Sequence, residues 1–133
     1  MLQVLDCAHS TQELLSSDKT PTLSFALPLY HALVAQWRGL QTKLPAFSHA
    51  IESGIKKINA YITKSRSNPA HIAAMALNPS IRYDWIAQNA PSKEEAEKEV
   101  ENAQAVVKAY VSYYVYSFSL KGNILQSIDA TLS

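Results

Sequence analysis

Four histidines, one cysteine and eleven Asp and Glu are the side chains in this 133-residue sequence that could hold a metal or move a proton. Cys7-x-His9 resembles half of a zinc site, but no second pair has suitable spacing, and side chains two apart on a helix point in different directions. His49 and Glu52 stand three apart, the reverse of the Glu-x-x-His element of di-iron bundles, and no second copy occurs. Neither a metal site nor a cofactor is therefore expected. Asp6, His9 and Glu13 share a helix face, setting an imidazole among carboxylates in a way that suits acid-base work, although solvated helix faces carry such clusters without catalysis. Cys7 has no evident activating neighbour, and neither a Gly-x-Ser-x-Gly elbow nor a glycine-rich phosphate loop occurs.

Binding chemistry has better material. Tyr30, His31, Trp37, Trp85, Tyr110 and Tyr114 are the expected lining of a small-molecule cavity between a helix pair and the last helix. The plainer reading of His31 is a boundary residue on the flank of an apolar face. Tyr110, Tyr113, Tyr114 and Tyr116 suit an oligomer seam as well as a cavity, and core packing accounts for at least half of them. Lys56, Lys57, Lys64 and Arg66 make one helix basic, and Arg82, Tyr83 and Trp85 could stack on bases or touch phosphates. Twelve Lys and Arg against eleven Asp and Glu give a net charge of +1, which disfavours DNA as a partner.

The elements that must position these residues read as helices. Only three Gly are present, and the six Pro fall mostly where helices would begin or turn. A first helix covers about residues 3 to 16, followed by a polar loop from Ser17 to Pro21. Ser24 is the expected N-cap of a second helix, with Pro28 in its first turn. Leu27, Tyr30, Val34, Trp37, Leu40 and Leu44 form its apolar stripe, and Pro45 stops it. Phe47, Ile51, Ile55, Ile58 and Ile62 mark a third helix, antiparallel to the second. Gly54 within it costs about 1 kcal/mol relative to Ala unless close packing offsets the loss. Gly39 raises the same question.

Asn68-Pro69 and Asn78-Pro79 share one logic, in which Asn caps orphan N-H groups and Pro supplies a preset φ. Ile72, Met75 and Ala76 then face inward before the second break, with Tyr83 or Trp85 and Ile86 after it. Ser92 and Glu95 have capping-box spacing, and Glu94, Glu95 and Glu97 favour the positive end of a helix dipole. That helix turns apolar from Val100 along a stripe through Val107, Tyr110, Tyr114 and Phe118, broad enough for a central place in the fold. It is expected to run from 92 to about 120, some 40 Å, with part of it projecting or meeting another chain. Gly122 and Asn123 should end it, leaving Ile124 to Leu132 as a short amphipathic tail.

The sum is a single all-α domain over residues 1 to 133, a bundle of about five to seven helices with one long C-terminal helix. No stretch suits a membrane span or a signal peptide, and a lone Cys7 favours a reducing compartment, so an intracellular protein, cytoplasmic or nuclear, is expected.

The order "TPTLSFALPLYHAL", "LPAFSHAIESGIKKINAYI", "HIAAMALNPSIRYDWI" resembles the hAT superfamily of transposases, particularly forms common in fungal genomes. There a Pro-Thr-Leu, a Leu-Pro with an aromatic, an Ala-Ile with Gly-Ile-x-Lys, and an Ala-x-x-Leu-(Asp/Asn)-Pro box recur in that order. The resemblance spans about residues 10 to 90 and implies the all-helical insertion of an RNase H-like catalytic domain. In that family the metal-holding Asp and Glu residues, the BED finger and the dimerisation region lie outside this segment. The Arg-Trp box associated with a flipped base lies upstream as well, so the resemblance gives neither Trp37 nor Trp85 that role. Residues 76 to 82, "ALNPSIR", match a box whose part is structural.

The expected function is thus a transposase-derived, non-catalytic helical interaction module, for which a homodimer through the Tyr-rich helix is the natural partner arrangement. The alternative is a small enzyme or small-molecule binder that uses the aromatic cavity.

Overall fold

A computed structural model describes residues 1–17, 19 and 22–132, so most of the loop expected from Ser17 to Pro21 lies outside the described residues. Among the described residues six α-helices follow one another: α1 (Leu2–Leu15), α2 (Ala26–Lys43), α3 (Ser48–Arg66), α4 (Pro69–Leu77), α5 (Asp84–Gln88) and α6 (Lys93–Leu132). No strand occurs among the described residues, as the helical periodicity requires.

The scaffold is the α2–α3 pair. A 3-10 turn at Pro45–Phe47 joins them, and the chain reverses so that Gln41 meets Glu52 and Trp37 meets Gly54, the register of antiparallel neighbours. The stripes read from the sequence face inward: Leu27 and Val34 on α2 and Ile51, Ile55 and Ile62 on α3 are buried, with Tyr30, Trp37, Leu40 and Ile58 packed against them. α1 attaches to this pair through Val4, whose side chain packs on the core and whose carbonyl accepts from the Trp37 indole N-H at 3.1 Å.

The helix starts follow the capping logic with two differences, at Ser24 and at Asn78-Pro79, where Asn78 closes α4, a turn follows and α5 begins only at Asp84. Asn68 Oδ1 accepts from Ala70 N at 2.9 Å, and Ser92 Oγ accepts from Glu95 N at 3.2 Å. At Ser24, by contrast, a 3-10 turn (Leu23–Phe25) intervenes, α2 begins at Ala26, and no side chain caps Phe25. The Ser24 side chain is instead buried and accepts from Asn78 Nδ2 at 2.9 Å, tying the entrance of α2 to the end of α4.

Asn78 also organises the corner that follows it. Its side chain accepts from Ser80 N at 3.0 Å, its carbonyl accepts from Arg82 N at 2.9 Å, and Arg82 sits in the left-handed region at φ 50°. The corner returns Ile81 and Ile86 to the core beside Met75.

Two expectations about the last helix are corrected. α6 does not stop near residue 120 but continues unbroken to Leu132, 40 residues and about 60 Å. A glycine favours a helix end because it turns left-handed at little cost, and Gly122 does not use that freedom, since its φ is not positive. Nor is the stripe central: among its described residues only Ala103 is buried, and from Tyr110 onward large apolar side chains stand in solvent. The bundle is too short to reach them, since the adjacent α4 has only 9 residues.

Candidate functional site

The aromatic residues expected to line one cavity separate into four places. Trp37 sits at the α1–α2–α3 junction, its ring lying where a Cβ on Gly54 would come within 2.6 Å of it. That contact is the close packing that offsets the glycine. Tyr30 packs on the core from α2. His31 and Trp85 do meet, edge to face with ring centroids 5.1 Å apart. Tyr110 and Tyr114 lie on α6, with Ala70, Ala73 and Leu77 of α4 forming the opposite wall of an apolar groove. None of the cavities described is lined by all six.

The surroundings of His31 favour its neutral form. Burial, and secondarily the charge of Arg66, push its pKa below the ordinary value of 6.5. Its Nε2 is buried with no hydrogen-bond partner among the described residues, as is Nδ1 of His71.

Nearby, a cavity of about 50 Å³ is bounded by Leu27, Met75, Trp85 and Ile86, with Arg66 and Glu99 at its polar side. It is far smaller than the roughly 300–1,000 Å³ of sites that enclose drug-sized molecules.

The basic set divides as well. Arg66 donates to Glu99 Oε2 at 2.9 Å and to the Asn89 carbonyl at 3.1 Å, so it fastens α3 to α6 and the α5 exit. Lys56, Lys57 and Lys64 remain exposed along α3. Of the acid-base candidates, His9 Nε2 lies 3.4 Å from Glu13 on an open helix surface. Glu52 accepts from Gln41 Nε2 at 2.9 Å, which joins α2 to α3. No group of three or more His, Cys, Asp or Glu placed to hold a metal ion occurs among the described residues.

What the structure assembles instead is a surface. Tyr114, Phe118, Leu125 and Leu132 are exposed along α6, Phe118 at 80% and Leu132 at 81%. Side chains of this size rarely stand together in water unless something covers them. The sequence reading reached the tyrosines but not Leu125, Ile128 and Leu132, because it ended the helix at Gly122. It also missed α4's Ala70, Ala73 and Leu77, whose alanines carry no recognisable binding signal in a sequence.

Comparison with protein-family models, with curated proteins and with solved structures returns no match to this chain.

Proposed function

We propose that the chain is a non-catalytic association module, derived from the helical insertion of a hAT transposase, whose working surface is the apolar face of α6. One observation carries this reading: α6 extends well past the bundle while keeping Val111, Tyr114, Phe118, Leu125 and Leu132 in solvent. Interface cores are enriched in aromatic side chains and depleted of charge, and this face has both properties. The order of the hAT-like boxes along α2 to α5 supports the ancestry, and the free Cys7 supports a reducing compartment, cytoplasmic or nuclear. No helix among the described residues is long and apolar enough to cross a membrane. The cavity beside Trp85 is too small for a drug-sized ligand, and the groove beside Tyr110 and Tyr114 is an open apolar trough without convergent polar groups, so the ligand-binding alternative has less support.

A double substitution, Tyr114→Glu with Phe118→Glu, tests the reading. If the face exists to meet a partner, the variant keeps the thermal melting that the wild-type bundle shows when dilute enough to be unassociated. A collapse of the melting transition, of the size a core substitution gives, would show that the face serves the chain's own packing and would overturn the assignment.

A further inference from the structure

Resting on that reading, we infer that the partner is a second copy of this chain, paired antiparallel along residues 107 to 132 of α6, with the end of each helix seated in the other copy's α4–α6 groove. The first support is periodicity. Beginning at Val107, steps of four and three residues reach Val111, Tyr114, Phe118, Lys121, and on to Leu132, the spacing of a coiled-coil seam sustained for nearly four heptads. Lys121 alone breaks the apolar run.

That lysine selects the orientation. In a parallel pair the two Lys121 ammonium groups would share one layer of the seam, like charge against like. In an antiparallel pair Phe118 faces Lys121, Tyr114 faces Leu125, Val111 faces Ile128 and Val107 faces Leu132. Each ammonium then lies over an aromatic ring of the other copy, an attractive contact. The flanking charges agree: the same register sets Lys108 of one copy beside Asp129 of the other, opposite signs at both ends of the seam.

The second support is the groove. Ala70, Ala73 and Leu77 face Val107, Tyr110, Val111 and Tyr114 across about 300 Å³ of space with almost wholly apolar walls. In the register fixed by Lys121, the side chains that arrive there are Leu125, Ile128 and Leu132 of the other copy. The small alanines of α4 leave room for them.

Area gives the third support. The described chain exposes 9608 Å², whereas a compact monomer of 14.7 kDa exposes about 6,900 Å². The excess, about 2,700 Å², is larger than the roughly 800 Å² that each partner contributes to a standard interface.

Cysteine cross-linking in a Cys7→Ser background separates the arrangements. Tyr114→Cys and Leu125→Cys chains are oxidised alone and as a mixture, with mass followed by light scattering. The expected result is a dimer of twice 14.7 kDa that forms a disulfide only in the mixture. In the antiparallel register two copies of residue 114 lie about 16 Å apart along the axis, beyond disulfide reach. Self-cross-linking of each variant alone would indicate a parallel seam and overturn the inference. A monomer throughout would also overturn it, and the surface's part in association would then be judged by the melting of the double-glutamate variant.

Discussion

Two residues show how local chemistry sets the tolerance of this fold. Gly54 and Gly39 read alike in the sequence, but a methyl group at Gly54 would meet the Trp37 ring at 2.6 Å while one at Gly39 meets nothing within 4 Å. Gly39→Ala should therefore stabilise the protein by about 0.5–1 kcal/mol through helix propensity. Gly54→Ala should destabilise it by about 1–2 kcal/mol as overpacking outweighs the same gain. Urea denaturation of the pair decides the matter, and equal shifts would refute the contact. His31 has a pH signature. Because its folded pKa is lowered, the unfolded chain binds more protons in the window just below pH 6.5, and stability falls as pH drops through that window. The urea midpoint should fall on acidification, and fall less in His31→Phe. Matching pH profiles would remove His31 as the cause.

Among the elements, the corner from Asn78 to Tyr83 holds the most information per residue. One asparagine accepts from Ser80 N and Arg82 N and donates to Ser24, joining two stretches 54 residues apart in sequence. Asn78→Ala removes the side-chain bonds and leaves a buried hydroxyl with one contact fewer, so a loss of about 1–3 kcal/mol is expected in thermal or urea unfolding. A change below about 0.5 kcal/mol would show that Pro79 and the backbone suffice. The helices were legible in the sequence because their signals are local: apolar steps of three and four, Asn68-Pro69, and Ser92 three before Glu95, whereas Asn78-Pro79 carries the same local signal but opens a turn instead of a helix. Ser24 was misplaced because its partner comes from a distant segment. Gly122 misled for the opposite reason, since a glycine is only permission to stop and the neighbouring residues continue the helix. The aromatic site dispersed because helical phase gives direction around one axis and says nothing of where that axis lies. Arg66, grouped with the lysines by charge, turned out to be a clasp on Glu99.

For the whole molecule the division of labour is between a bundle and an extension. The hydrophobic core draws on α2 to α6 but ends on α6 at Ala103, so the last part of the chain contributes little to the folding of the rest. At concentrations low enough to keep the wild type monomeric, a chain ending at Tyr114 should keep the same melting transition and lose only helical signal, as circular dichroism can show. A marked drop in melting temperature would mean that the tip packs back on its own bundle. Small-angle scattering should likewise give a radius of gyration above the roughly 14 Å of a compact chain of this length.

The Arg66–Glu99 clasp and the fully buried Ala103 lie where α6 meets the bundle, and α4 flanks α6 from there as far as Tyr114. About 22 Å of helix runs from Glu99 to Tyr114, and about 27 Å from Tyr114 to the tip. The helix is thus a lever whose last support is the α4 wall, with arms of nearly equal length on either side of it. Whatever grips the far end is felt at the Arg66–Glu99 pair with roughly the force applied.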